Sequence, residues 1–301
     1  MPHDFPDDFP DDCPASAAGA RPTLGLIGAG AFGAFALPHL TRHFDAVVSD
    51  PRPDIDTVAG RLGVPAVALE AAARCDVVVL AVPWRALEGV GAAIAPHLRP
   101  GTLVVETCSI KVRPLETLRD VLPGHVRLVG THPLFGPQSG RTGITGLNIA
   151  VCAAPGRPPE DRDAARRSDG DDADRVARFL GLRLGLTVLR VSAEEHDRQM
   201  AYVQGLTHFL ARAIAAMDLP DLTLTTSTWG HLMRMAETVR HDSDDLYRTI
   251  AEDNPFAAGV RERFLAAARD TLAGPPAGTP VRSRTPVPAA GREPSGSSRS
   301  G

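Results

Sequence analysis

A glycine triplet, a histidine–proline pair, one lysine and a His-Asp pair hold most of the chemistry available in these 301 residues. From Thr23 an apolar strand runs into Gly28-Ala29-Gly30-Ala31-Phe32-Gly33 and then into a helical pattern. In that context the first glycine permits a tight turn and the second lets backbone approach a pyrophosphate. The third allows close packing of helix on strand, and the helix N-terminus offers free N–H groups to the anion. Gly28 to Gly33 are therefore candidates to cradle a dinucleotide. Asp50, at the end of the next predicted strand, is placed to bind the adenosine ribose hydroxyls. A carboxylate there repels a 2′-phosphate and favours NAD, while Arg52 close by leaves NADP open. Val82-Pro83-Trp84 closes another predicted strand, and ligands of open parallel sheets sit beyond the strands' carboxyl ends. Val82 and Pro83 are expected beside the nicotinamide; Trp84 fits that place or the core equally well.

His132 falls at the carboxyl end of the predicted strand Val126–Gly130, in Thr131-His132-Pro133, where Pro133 favours extended backbone. A neutral imidazole there could take the proton of an alcohol as its hydride leaves. Ser109, just past a neighbouring strand, can orient a substrate hydroxyl or a ring nitrogen of His132. Of 32 lysine and arginine residues only Lys111 is lysine, which hints that a compact ammonium is wanted at that place. Further on, Asp197, Gln204 and His208 lie within about 40° of one another on an α-helical wheel. Met200, Val203, Leu206, Leu210 and Ile214 form the opposite, apolar face. By pattern alone the polar stripe reads as a solvated face; a cleft border is the alternative.

The elements that must hold these residues alternate. Short apolar runs at Leu24–Ile27, Ala46–Val48, Val77–Val82, Leu103–Val105, Val126–Val129, Leu147–Val151 and Leu186–Val191 read as strands. Helical segments such as Ala31–Phe44 and Leu69–Arg74 lie between them, so a parallel α/β sheet is expected. After Val191 the pattern is helical only: Ala193–Met217, Leu224–Arg240, Asp245–Ala251 and Pro255–Ala273, the last with Asn254 as N-cap. The expected fold is an α/β Rossmann-like dinucleotide-binding domain (22–192) followed by an all-helical domain (193–273). Residues 1–21, 274–301 and the stretch 154–174 are expected to be a disordered head, a disordered tail and a mobile loop.

Composition narrows the class. A net charge of −4 without a basic block argues against nucleic acid. Four scattered cysteines suggest neither a disulfide framework nor a zinc site, so no metal is expected. No apolar run reaches the length of a membrane span, and the acidic start is unlike a secretory signal. A cytoplasmic protein is the expectation.

Taken together, Gly28–Gly33, Ser109-Ile110-Lys111, Thr131 to Pro137 with Ser139-Gly140, and His196-Asp197 followed by Gln204 to Phe209 resemble the prephenate/arogenate dehydrogenase family of tyrosine biosynthesis. The resemblance spans roughly Thr23 to Leu272. It implies oxidative decarboxylation of a cyclohexadienol: hydride passes to the nicotinamide and the ring carboxylate leaves as CO2. It also implies His132 as acid/base, with Ser109 orienting the hydroxyl and Lys111 at the substrate site. His196, Gln204 and His208, from the helical domain, would complete the substrate pocket, and the chain would form a homodimer through that domain. Members of the family carry a carboxylate-binding Arg where this chain has Thr238. Arg234, one turn earlier, and Arg240, just after, are the candidates to replace it. The substrate therefore stays open among prephenate, arogenate and 4-amino-4-deoxyprephenate. A different small Rossmann reductase and a non-enzymatic dinucleotide-binding redox sensor are the competing readings.

Overall fold

The computed structural model describes residues 21–156, 169–240 and 242–273. The expected head, the expected tail and the middle of the expected 154–174 loop lie outside them. Where that loop is described it differs from expectation, because a helix already begins at Asp169.

The first part runs β1 (Thr23–Ile27), α1 (Ala31–Leu40), β2 (Asp45–Ser49), α2 (Ile55–Leu62), α3 (Leu69–Ala73), β3 (Val77–Leu80) and α4 (Trp84–Ile94). It continues with β4 (Leu103–Glu106), α5 (Val112–Val121), β5 (Arg127–Pro133), β6 (Asn148–Ala153), α6 (Asp169–Leu182) and β7 (Thr187–Arg190). All seven strands join one sheet in the order β2-β1-β3-β4-β5-β6-β7. The sheet is mixed rather than parallel, since β6 runs antiparallel to β5, pairing His132 with Ala150 and Gly130 with Cys152. A parallel return needs a crossover, usually helical. Between Pro133 and Asn148 the chain has no helix to provide one, and so it doubles back. β7 then pairs parallel to β6.

Continuous valine and leucine runs are buried on both faces of such a sheet. Along β3, Val77 and Val79 feed one core with Leu24, Leu26, Leu37, Phe44 and the α6 residues Val176 and Phe179. Val78 and Leu80 feed the other, with Leu87, Ile94, Leu115 and Leu118 from α4 and α5. The period-2 pleat splits each strand between two hydrophobic layers. The chain leaves β1 in opposite directions, to β2 on one side and β3 on the other. The crevice beyond their carboxyl ends is where such sheets bind ligands.

After Ser192 the described residues form only helices. α7 (Ala193–Met200) continues through a π-helical stretch, Ala201–Leu206, into α8 (Thr207–Ala215). Next come α9 (Ser227–Arg240), α10 (Asp244–Arg248) with a second π-helical stretch at Thr249–Asp253, and α11 (Ala257–Leu272). Ser192 caps α7 by accepting from the Glu195 N–H at 3.1 Å, and Ser243 caps α10 through Leu246 N–H at 3.1 Å. Asn254 accepts from Phe256 N–H at 2.9 Å, the capping role expected of it. Among the described residues, those up to Arg261 pack as one compact unit, and those from Glu262 to Ala273 belong to a second.

Two substitutions test the packing. Leu26 is fully buried in β1, so Leu26→Ala should cost about 2–5 kcal/mol in denaturant unfolding. Gly60 sits inside α2 with nothing near the place of a Cβ, so Gly60→Ala should stabilise by about 0.4–1 kcal/mol.

Candidate active site

The carboxyl ends of β1, β3, β4 and β5 open on a cavity of about 560 Å³, a size suited to a small molecule with part of its cofactor. Gly30, Ala31 and Phe32 line it from the glycine turn, Val82, Pro83 and Trp84 from the end of β3, and Ser109 from beyond β4. His132 enters from β5, and Gln204 and His208 from the helical segment. A second cavity of about 540 Å³, between α5, β6 and α7, contains none of the residues expected from sequence.

The glycine turn fits a dinucleotide. Gly28 has φ +102°, and a Cβ there would stand 2.4 Å from the Ala81 carbonyl oxygen. A Cβ on Gly33 would meet the Gly28 carbonyl oxygen at 2.0 Å, which is how α1 comes so close to β1. Gly30, at the N-cap of α1, has nothing within 4 Å of its Cβ position. That open space lies where a pyrophosphate meets the helix N-terminus. Asp50 is fixed beside the turn, accepting from Ala29 N–H at 2.7 Å and from Arg52 N–H at 2.9 Å. Arg52 pairs with Asp54 at 2.6 Å and also reaches the Ala29 carbonyl at 3.3 Å. Both a carboxylate and a guanidinium therefore stand at the ribose end.

His132 is almost wholly buried, and its ring is held from behind. The Asp197 carboxylate accepts from His196 Nδ1 at 2.8 Å, and His196 Nε2 lies 2.9 Å from His132 Nδ1. A carboxylate can only accept, so His196 carries its proton on Nδ1 and presents a bare Nε2. His132 must then donate from Nδ1, which leaves the lone pair of its own Nε2 directed at the cavity. There it accepts from Gln204 Nε2 at 3.3 Å. Burial, followed by the neighbouring His196 and Lys111, holds His132 well below the usual histidine range. Burial also lowers His196 and His208, against the opposing pull of Asp197 and Asp242 respectively. The site thus keeps a neutral imidazole whose cavity-side nitrogen is an acceptor, met by the Gln204 amide, as a proton-accepting role requires.

The π-helical stretch explains which helical residues reach His132. In an unbroken α-helix Gln204 and His208 would stand about 80° and 120° away from His196. Each π residue turns the chain by less than an α residue, roughly 80°, so the stretch brings both side chains round to the His196 line. The same slower winding breaks the expected apolar face and leaves Val203 60% exposed. Among the described residues Gln204 Oε1 and His208 Nδ1 are buried without a hydrogen-bond partner, the latter with the Asp242 carboxylate 3.6 Å away. Buried polar atoms are normally satisfied, so Gln204 Oε1 is an acceptor site that a ligand can fill.

Three expectations are not met in the form stated. Lys111 does not line the cavity: it is fully buried behind it, paired with Glu106 and donating to the Thr131 carbonyl at 2.6 Å. His196 likewise meets His132 rather than the cavity. Arg234 projects from an exposed position on α9, away from the cavity lining, and the side chain of Arg240 is outside the described part. Sequence reading missed Asp242, Ser243, Asp245, Thr249 and Ile250, which close the cavity from the start of α10 onward. Ser243-Asp244-Asp245 has the composition of a helix start, but nothing in it says which cleft that start faces. It also missed Glu106, whose only signal is a carboxylate ending an apolar strand.

Fold, turn and crevice together define a Rossmann-type dinucleotide-binding protein with a buried histidine at its ligand site. Residues 50–145 match the family model described as the nucleotide-binding domain of prephenate dehydrogenase. Arogenate dehydrogenase 1, chloroplastic, of Arabidopsis thaliana is 28% identical over 255 residues, covering 82% of this chain and 38% of that protein. A probable arogenate/prephenate dehydrogenase of Methanocaldococcus jannaschii is 32% identical over 204 residues, 65% of this chain and 43% of the relative. A crystal structure of prephenate dehydrogenase from A. aeolicus, in complex with hydroxyphenyl propionate and NAD+, superposes with a TM-score of 0.61 at 18% identity. It covers 85% of this chain and 92% of the other. The chain is similar to prephenate and arogenate dehydrogenases, above all in its nucleotide-binding part, and the matches span less than half the length of these two curated relatives.

Gly30→Val should leave the fold intact, since the space is open, yet abolish NAD binding measured by calorimetry. Binding at wild-type affinity would show that the turn is not the cradle. A second expectation concerns pH. His132, His208 and His196 behind them are held neutral by burial, with folded values below the ordinary 6.5. As pH falls the unfolded chain binds protons first, so stability is full at neutral pH and is lost as pH drops through about 6.5 toward the folded values. Denaturant midpoints measured from about pH 7.5 to 5 should fall, and fall less steeply in His132→Asn.

Proposed function

We propose that the chain is an NAD-dependent dehydrogenase that oxidatively decarboxylates a cyclohexadienol. It would convert prephenate to 4-hydroxyphenylpyruvate or arogenate to tyrosine, with 4-amino-4-deoxyprephenate as the alternative substrate. The observation that carries this reading is the His132 Nε2 lone pair, held toward a cavity that also contains the glycine turn.

A bound dinucleotide supplies the hydride acceptor. His132 Nε2 accepts the proton of the 4-hydroxyl as the C4 hydrogen leaves as hydride and the carbon becomes a carbonyl. The bond from the ring to its carboxylate then breaks, CO2 departs, the electron pair aromatises the ring and moves onto the 4-oxygen, and that oxygen takes back the proton held by His132. Ser109 is placed to orient the hydroxyl, and Gln204 to fix the imidazole plane. When His132 takes its proton, the new charge lies against His196, which Asp197 polarises. Trp84, Phe135 and Ile250 line the cavity and would shield the reacting carbon from water. Among the described residues the charged side chains lining the cavity are Asp242 and Asp245. Asp245 is paired with Arg85 at 3.6 Å. All three candidate substrates carry two carboxylates, and the ammonium that arogenate and the 4-amino compound carry besides has a carboxylate to meet here, which favours them over prephenate.

Other parts of the reading rest on less local features. The exposed Tyr202, Val203, Met217, Leu222 and Leu224 support a homodimer formed through the helical region, 193–273. Among the described residues no helix is long and apolar enough to cross a membrane, and the described cysteines are buried free thiols, which suits the cytoplasm.

The test is NAD reduction with each of the three substrates. Turnover should be greatest with an amine-bearing one, and none with any of them would leave only dinucleotide binding. Asp197→Asn can donate to His196 and reverse both tautomers, so it should cut kcat on the order of a thousandfold while NAD still binds.

A further inference from the structure

Lys111 has no place in the chemistry above, yet it closes a circuit around it. Its ammonium lies between the Glu106 carboxylate and the Thr131 carbonyl, with neither charged side chain exposed. Its own backbone N–H donates to Asp197 Oδ1 at 2.7 Å. Asp197 holds His196, His196 holds His132, and His132 follows Thr131 in the chain. One residue therefore grips both ends of the relay. The strand has made room for the pair: Gly130 stands opposite Glu106 in the β4–β5 register. A Cβ there would come within 2.8 Å of the Glu106 carboxylate. Thr131 Oγ1 adds a bond to the Glu106 backbone carbonyl at 3.0 Å.

We propose that Lys111 is a positioning residue for His132. Its ammonium fixes the carbonyl that precedes His132, its backbone amide fixes the far end of the relay, and its charge stands behind the imidazole. Through these it keeps His132 neutral and its proton on Nδ1. A guanidinium is planar and wider than an ammonium, so arginine, used at every other basic position, does not fit this closed space. The proposal rests on the reading of His132 as the proton acceptor, but it is tested without substrate.

Several groups besides Lys111 act on His132. Asp197 stands behind it, Asp242 and Asp245 stand across the cavity, and Glu106 lies on the neighbouring strand. The other titratable neighbours are His196, His208 and the Cys108 and Cys152 thiols. Burial drives both thiols upward, Cys152 to about 12, so they stay uncharged. Replacing Lys111 together with its partner Glu106 leaves the groups across the cavity unchanged and reads the effect of the buried pair.

Because the chain has a single lysine, protein labelled with 15N-lysine gives one Nζ signal. In the wild type that signal should persist as a slowly exchanging ammonium at neutral pH and shift as His132 titrates; in His132→Asn the shift should vanish. In 15N-histidine protein, His132 should be the Nδ1–H tautomer. Its titration midpoint should rise by about one pH unit in Lys111→Met combined with Glu106→Gln, the pair that leaves no unbalanced buried charge. A folded double variant with unchanged midpoint and tautomer overturns the proposal. If that variant does not fold, the wild type decides. Fast exchange of the lone Nζ, or indifference to His132 protonation, overturns the proposal, whatever the substrate assays give.

Discussion

The Asp197 carboxylate accepts three hydrogen bonds at once, from Lys111 N–H, Val112 N–H and His196 Nδ1. Two of those donors are the free amides at the start of α5, where a negative charge is favoured by both hydrogen bonding and the helix dipole. The third orients the histidine behind His132. The carboxylate thus joins the first helix of the helical segment to the sheet and sets the direction of the proton-accepting lone pair. Asn254 adds to the anchor by donating to the Asp197 backbone carbonyl at 2.8 Å. A weaker clasp lies nearby: Arg85 and Arg113 both reach Asp253, at 3.0 and 3.2 Å. Those arginines are half exposed and each such pair is worth little, so the buried carboxylate dominates.

Much of this was legible before the structure. The seven strands stood out because sheets covered on both faces need uninterrupted apolar runs, and every expected run lies in a strand or overlaps one. The glycine turn was legible because only certain positions tolerate no Cβ, and Gly28 and Gly33 occupy two of them. His132 was found by its place at a strand end, a matter of topology more than of local sequence. Strand direction was not legible: an apolar run reads the same in either sense, and β6 reversed because no crossover helix precedes it. Lys111 was misplaced for a related reason. A lysine after a strand usually reaches solvent, and nothing nearby in sequence announces that Glu106, five residues back, will meet it indoors.

The helical wheel failed where the helix itself changed period. The wheel grouped Asp197, Gln204 and His208 and left His196 aside, because it assumed about 100° for each residue. Six residues of π-helix slow that rotation and bring His196, Gln204 and His208 onto one line, toward His132. A second π-helical stretch, Thr249–Asp253, carries Thr249 and Ile250 to the same cavity. The two stretches meet at Gly205, where a Cβ would lie 3.6 Å from Ala257 Cβ and 3.9 Å from the Ile250 carbonyl oxygen. Wider turns are rare and less well bonded, and they recur at functional sites. Here each offsets its poorer bonding with burial: Ala201, Gly205, Ile250 and Ala251 are all covered. Period, and not only residue type, is therefore part of how the sequence encodes this site. The side chains that meet at His132 have the right chemistry, but only an interrupted helix puts them on the same face.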